Sequence, residues 1–310
     1  MNTRQSNDPE RGTGLWPVGD RGGLTPSQNT DQRSVPRAAL GAADSRRDAC
    51  ATLAVAVSVL LCVLTASAFS PYEAYLMSGR ETHVGLLAEI KSEKLEDFQG
   101  AFEQCFDKSV SRKLKKAGIS DAQAFTRIIE GKTYAVIYFA YKGGKDYLSA
   151  ATAFEEATQS IDWHHSTSPH PRAETYGRHW LQMEWINFIR GLVVDRKPTN
   201  TLMIGCMVAP KMEMQYRTLH QTTWPGVVDQ AVRGNIRNLN IFLVELDDQL
   251  VEFLYLEYMG EDEAADDAAN KADPINQRWW KLTDACQKPF SDVKEGIWTL
   301  MEPVRRADHQ

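Results

Sequence analysis

One histidine in the last third of the chain has aromatic company that suits it for chemistry. Tyr216 and His220 are four residues apart, so on a helix they lie on the same face, one turn from each other. Trp279 and Trp280 follow farther along, directly behind Arg278. Two adjacent indoles are costly to leave in water, and their flat rings suit stacking against a ring-shaped ligand. This set of side chains is suited to acid–base chemistry on a sugar, because an imidazole with a pKa of about 6.5 both accepts and donates protons near neutrality.

Two sequence patterns around these residues resemble the L-rhamnose mutarotase family. The first, Tyr-x-x-x-His-x-x-x-Trp-Pro, is present at Tyr216, His220, Trp224 and Pro225. The second, Gln-Arg-Trp-Trp-Lys-x-x-Thr-Asp, is matched at residues 277–281, and Thr283 and Asp284 follow after one intervening residue instead of two. The resemblance covers about residues 201–304. Either pattern alone is a weak signal, whereas the two in order at this spacing are fairly specific.

The resemblance implies a small-molecule sugar substrate and an isomerase reaction. His220 would be the catalytic acid/base, and Tyr216, Trp279 and Trp280 would bind the sugar. The enzyme would interconvert the α and β anomers of L-rhamnose or a related aldose. A proton leaves the anomeric hydroxyl while another reaches the ring oxygen, the ring opens to an aldehyde, and it closes again on the other face. This chemistry calls for no cofactor and no metal ion.

One position departs from the family pattern and keeps other functions open. The family has a second tyrosine on the strand after the first helix, and Leu239 occupies that position here. Loss of one such hydroxyl costs on the order of 3 kcal/mol of transition-state stabilisation. Asn238 or Asn240 could compensate, depending on which one points inward. The alternative is a non-catalytic sugar-binding or scaffolding module, and a cofactor-free monooxygenase is a third possibility that rests on fold analogy alone.

Two blocks of the chain repeat the same order of strands and helices. Shifting the first block by 117 positions places residues 134–141 on residues 251–258 and Trp163 on Trp280. We therefore predict an α+β protein of two tandem ferredoxin-like (βαββαβ) units, at residues 80–192 and 199–305. The open faces of the two sheets would cover each other, giving a dimeric α/β-barrel-like pseudo-dimer within one chain. The same shift places Glu103, or Phe102 after a slip by one, at the position of His220. The first unit is therefore predicted to be a degenerate copy that completes the barrel.

The apolar periodicity predicts the elements of both units. The predicted strands are residues 83–90, 122–129, 133–141, 180–190, 201–208, 236–245, 250–258 and 296–303. The predicted helices are residues 92–117, 146–162, 211–230 and 261–285, the last broken near Pro274. His164, His165 and His170 are expected in a solvated loop rather than around a metal ion.

The N-terminal segment predicts export or a membrane tether. Residues 1–45 are rich in polar and turn-forming residues and are expected to be a disordered leader. Residues 46–69 contain a nearly unbroken apolar run behind Arg46 and Arg47, which fits either a signal peptide or a transmembrane anchor. Either reading makes the remainder extracytoplasmic (secreted or periplasmic) or membrane-anchored, with the membrane contacted through this segment only.

Charge and cysteine content exclude several other classes. The net charge of -6 leaves no basic surface for nucleic acid. The five cysteines are scattered and form no CxxC pair, so neither a disulfide framework nor a zinc site is expected.

Overall fold

The computed structural model describes residues 81–143 and 149–304. The predicted leader and the predicted signal or anchor segment lie outside the described residues, so the extracytoplasmic location stays a prediction. Among the helices of the described part, none combines the length and the apolar character needed to cross a bilayer.

The first unit begins at β1 and ends at β6. It comprises β1 Thr82–Ile90, α1 Leu95–Glu103, α2 Lys108–Lys116, β2 Ile119–Ile129, β3 Lys132–Tyr141, α3 Ser149–Ala157, α4 Trp163–Ser166, β4 Thr167–Ser168, α5 Pro171–Glu174, β5 Leu181–Gln182 and β6 Glu184–Gly191. His164 and His165 thus lie in a short helix rather than in a loop, and His170 caps α5.

The second unit repeats this order. It comprises β7 Asn200–Val208, α6 Glu213–Gln221, α7 Pro225–Arg233, β8 Ile236–Leu246, β9 Gln249–Tyr258, α8 Glu263–Ala272, α9 Pro274–Thr283, β10 Gln287–Lys288, β11 Thr299–Leu300 and β12 Glu302–Pro303. The bounds of α7, β8 and β9 are those of α2, β2 and β3 displaced by 117 positions. Both hairpins also turn through two residues of positive φ, Glu130 and Gly131 in the first unit and Asp247 and Asp248 in the second. The predicted duplication and fold class are confirmed.

Each unit contributes its last strand to the sheet of the other unit. In the first sheet the strand order is β12-β2-β3-β1-β4, and in the second it is β10-β7-β9-β8-β6. β5 pairs with β1, but β6 continues into the second sheet and pairs with β8, while β11 pairs with β7 and β12 crosses back to β2. The prediction of single last strands at residues 180–190 and 296–303 was therefore wrong. The exchange pairs backbone groups of β2 and β8 that would otherwise form free edges.

Two predicted long helices are each divided in two. Residues 92–117 and 211–230 were expected to be continuous, but α1 and α2 are separate, as are α6 and α7. In the second unit Trp224 adopts an extended conformation with ψ of 139°, and Pro225 is the first residue of α7. A proline disfavours helical conformation in the residue before it, which explains the break. In the first unit Asp107 has an extended ψ of 140°, so the backbone leaves the helical conformation there and α1 and α2 are separate.

Three apolar layers hold the units together. The helices of each unit cover the outer face of one sheet, and the inner faces of the two sheets pack against each other. Tyr138 and Tyr255, which are equivalent in the two units, stack in this middle layer with ring centroids 3.6 Å apart. The predicted covering of one sheet by the other is confirmed.

A buried network of polar side chains connects the two sheets. Tyr138 Oη accepts a hydrogen bond from Asn238 Nδ2 at 2.9 Å and is paired with His83 Nδ1 at 2.8 Å. Asn238 Nδ2 also donates to Glu257, and so does the hydroxyl of Tyr255. Burial lowers the pKa of His83 to about 3, so its ring is neutral and no charge is left unpaired here. The network joins side chains of both units at one end of the middle layer.

Replacing Tyr138 with phenylalanine should destabilise the fold by about 1–3 kcal/mol, because His83 and Asn238 lose a buried partner. Urea unfolding followed by tryptophan fluorescence measures the change. Tyr176→Phe is the matched control, since that ring is 61% exposed. Equal stability of the two variants would mean that the network does not hold the units together.

Candidate active site

The second unit encloses a cavity between its helices and the outer face of its sheet. The cavity has a volume of about 80 Å³, which is room for roughly five to eight water molecules. Apolar side chains from β8 and β9 form one wall, and α6, α7 and α9 supply the others.

Helix α6 places His220 in the wall of this cavity. The side chain is only 7% exposed, and its Nδ1 lies 3.0 Å from the carbonyl oxygen of Tyr216, one turn earlier. Since a carbonyl oxygen only accepts, Nδ1 carries the proton and the neutral ring has its lone pair on Nε2. Burial lowers the pKa of His220 to about 4, partly opposed by the bond to Tyr216. At neutral pH this imidazole is therefore a base.

Helix α9 places the two predicted tryptophans at the same cavity. Asp273 Oδ1 accepts from the backbone N–H groups of Ile275 and Asn276, which fixes the start of the helix. Trp279 is buried and meets His220 edge to face, with centroids 5.6 Å apart and an interplanar angle of 81°. Trp280 is half-buried and lines the cavity too.

Tyr216 lies beside His220 but outside the cavity lining. It is fully buried, and its ring centroid is 4.2 Å from that of His220. Its hydroxyl approaches the carboxyl of Glu252 without reaching hydrogen-bond geometry, although the contact helps to lower the pKa of that carboxyl. A substrate-binding role for Tyr216 stays a prediction; the structure gives it contact with both His220 and Glu252.

The exchanged strand β6 brings the first unit into the site. Asn187 and Ile189 of this strand line the cavity. Asn187 Nδ2 donates to the backbone carbonyl of His220 and to Thr223 Oγ1, the latter at 2.9 Å. The first unit thus fixes the C-terminal end of α6, which carries the imidazole.

Leu239 lines the cavity, as its position in the family pattern requires. Asn238 and Asn240 point to the opposite face of β8, where they bond Tyr138 and Trp185. The expectation that one of these asparagines replaces the missing tyrosine hydroxyl was wrong, because strand alternation directs both into the layer between the sheets.

A buried carboxyl in the cavity wall was not found from the sequence. Glu252 on β9 is 0% exposed; its Oε2 accepts from Gln287 Nε2 at 2.8 Å and from Cys206 Sγ at 3.5 Å. Its Oε1 has no hydrogen-bond partner. Burial raises the pKa of Glu252 to about 7, against the lowering effect of these contacts. The sequence did contain one signal: Glu252 occupies the same face of the strand as the apolar residues Leu254 and Leu256.

A second carboxyl follows α9. Asp284 lines the cavity, and burial raises its pKa to about 6. The lining contains no lysine or arginine, so nothing there offsets the cost of a buried negative charge. Within residues 81–143 and 149–304, no group of three or more His, Cys, Asp or Glu side chains is arranged to hold a metal ion.

The equivalent region of the first unit is filled with aromatic rings. Trp163, which corresponds to Trp280, packs against Phe98 and Phe154 with centroid distances of 6.3 and 6.0 Å. β1 and α1 correspond to β7 and α6 at a displacement of 118, so the buried Phe102 stands where His220 stands in the second unit. Both observations favour the prediction that the first unit carries no second copy of the site.

Fold and site together define a tandem α+β barrel with a cavity, lined by His220, Trp279 and Trp280, under the helices of its second unit. A sequence match to the L-rhamnose mutarotase family covers residues 202–306. The L-rhamnose mutarotase of Oceanobacillus iheyensis is 32% identical over 85 residues, which are 27% of this chain and 77% of that protein. The chain belongs to the L-rhamnose mutarotase family.

Solved structures resemble a larger share of the chain at lower similarity. A candidate monooxygenase from Fusobacterium nucleatum covers 73% of this chain and 93% of its own, at 11% identity and a TM-score of 0.41. Another from Lactobacillus acidophilus covers 72% and 95%, at 11% identity and a TM-score of 0.39. Likenesses at this level carry no inference about the function of this chain.

Glu252→Gln should stabilise the protein above about pH 7 by roughly 3 kcal/mol, since the pKa rises from 4.5 to about 7 on folding. Below the unfolded pKa the carboxyl is protonated in both states and costs nothing. As the pH rises from there towards the folded pKa, only the unfolded state ionises, so the wild type loses stability and the variant does not. Thermal unfolding across this range measures the difference.

The matched control is Glu302→Gln, which changes an exposed carboxylate and should shift stability by less than about 0.5 kcal/mol. A constant difference between Glu252→Gln and wild type at all pH values would show that folding does not shift the pKa of Glu252.

Proposed function

We propose that the cavity of the second unit catalyses mutarotation, interconverting the α and β anomers of L-rhamnose or a related aldose by acid–base ring opening. The observation that carries this proposal is the neutral His220, fixed through Nδ1 and buried in the wall of the cavity. Membership of the L-rhamnose mutarotase family supports the reaction type.

The site suits this reaction because mutarotation is proton transfer at the two oxygens bonded to C1, the anomeric hydroxyl oxygen O1 and the ring oxygen O5. His220 Nε2 accepts the proton of the anomeric hydroxyl, and the C1–O5 bond breaks as the ring oxygen becomes protonated. The indoles of Trp279 and Trp280 offer apolar faces to the sugar ring. Burial also excludes bulk water, which strengthens each polar contact inside the cavity.

Replacing His220 with alanine should lower the rate of anomer exchange by about 100-fold or more, the usual contribution of a general acid–base group. Saturation-transfer NMR on equilibrated L-rhamnose and L-fucose measures exchange between the anomeric protons. The matched control is Glu103→Ala, which changes the corresponding helix of the first unit outside the cavity lining and should leave the rate unchanged. Wild-type protein that accelerates neither sugar beyond buffer would contradict the proposal, and so would equal rates in wild type and His220→Ala.

A non-catalytic sugar-binding module is the second candidate. Leu239 favours it, because an apolar side chain lines the cavity where the family has a hydroxyl. Calorimetry separates the two: saturable binding of L-rhamnose without exchange supports the binding module, whereas binding with exchange supports the enzyme.

A further inference from the structure

Glu252 presents an unsatisfied carboxyl oxygen in the wall of the cavity. Oε2 is held by Gln287 and Cys206, whereas Oε1 is shielded from solvent and has no partner in hydrogen-bond geometry, since the nearby Tyr216 hydroxyl falls short of it. A buried acceptor without a partner costs about 1–3 kcal/mol, so it is retained where a ligand group satisfies it. A hydroxyl of a bound sugar is such a group.

Mutarotation, on which this inference rests, needs an acid and a base together. His220 begins the reaction neutral, and its Nδ1–H donates to the Tyr216 carbonyl. Its Nε2 lone pair can therefore accept a proton, but the ring has no free N–H to donate to the sugar. The proton that the ring oxygen receives must come from another group in the cavity. The side chain of Tyr216 lies between His220 and Glu252. Its ring contacts the imidazole of His220, and its hydroxyl is near the carboxyl of Glu252.

We propose that Glu252 is a second catalytic residue of this cavity, which donates a proton to the sugar ring oxygen while His220 accepts one from the anomeric hydroxyl. The electrons of the O1–H bond form the C1=O1 double bond, and those of the C1–O5 bond pass to O5, which takes the proton of Glu252. After rotation about C1–C2 the carboxylate removes the O5 proton, O5 attacks C1, and O1 recovers its proton from His220. Both residues return to their starting states.

The surroundings of Glu252 determine its protonation. The groups in contact with it are Cys206 on β7, Tyr216 on α6 and Gln287 on β10, and the other titratable groups that line the same cavity are His220 and Asp284. Burial raises the pKa of the thiol and of the phenol, so these stay neutral near pH 7. A carboxyl with a pKa of about 7 is present near pH 7 in both its protonated and its ionised form. A group that acts first as an acid and then as a base needs both forms.

The rate should rise with pH as His220 loses its proton at a pKa of about 4, and fall above about 7 as Glu252 ionises. In Glu252→Gln the exchange rate at pH 6 should drop at least about tenfold, the fall above neutrality should vanish, and the dissociation constant for sugar should change little. Asp284→Asn tests the other carboxyl and should keep the fall near pH 7. A fall that persists in Glu252→Gln, or disappears in Asp284→Asn, would overturn the assignment.

A second measurement separates this inference from the proposed function. Calorimetric titration with L-rhamnose and L-fucose at about pH 7, in buffers of different ionisation enthalpy, counts the protons taken up or released on binding. The wild type should show a proton change that is absent in Glu252→Gln. A wild type that shows this change without anomer exchange loses the mutarotase function but keeps the carboxyl–sugar contact. A missing proton change, or one that persists in Glu252→Gln, refutes the role of Glu252, and absence of any binding refutes both proposals.

Discussion

The hydrogen bond from His220 Nδ1 to the backbone carbonyl of Tyr216 fixes the orientation and the tautomer of the imidazole in the cavity wall. A helix places residues i and i+4 on one face, so this bond is local to α6 and selects the tautomer without any other side chain. Trp279 on the ring and the sheet below remove water, and the loss of hydration keeps the imidazole uncharged at neutral pH. A neutral imidazole leaves no unpaired charge in this largely apolar space.

The exchange of last strands connects the first unit to the candidate site in the second unit. β6 of the first unit completes the second sheet, and Asn187 on that strand binds the end of α6. The first unit therefore supports the site from outside the region of family similarity at residues 202–306. Its own equivalent space holds Trp163 and Phe98, and it contributes a wall and a polar network rather than a second pocket.

The parts of the structure that depend on local pattern could be predicted from the sequence. The displacement of 117 positions identified β2 with β8 and β3 with β9, and alternating apolar residues located the hairpins. The destination of β6 and β12 could not be predicted, because pairing between distant edges depends on the packed sheets and leaves no mark in either strand. The helix breaks at Asp107 and Trp224 were missed for a different reason. The helical spacing of apolar residues continues past both positions, although the backbone of each residue is extended.

Within the site, His220 and both tryptophans were identified by motif, and the cavity includes all three. Glu252 was missed because a single glutamate in an apolar strand signals nothing until its face of the sheet is known. Asn238 and Asn240 show the same limit, since their polarity suggested a place in the pocket and the strand directs them to the other side. Residue type indicates which chemistry is possible, and only register decides where that chemistry is located.

The tautomer and charge of His220 are the most direct test of this account, and 15N NMR of histidine-labelled protein observes both. The account predicts that His220 Nδ1 carries the proton, that Nε2 is unprotonated at neutral pH, and that the ring titrates at about 4, far below the ordinary 6.5. Addition of L-rhamnose should shift the Nε2 resonance more than that of Nδ1. An imidazole protonated at Nε2, or one that titrates near its ordinary pKa and ignores the sugar, would contradict the account.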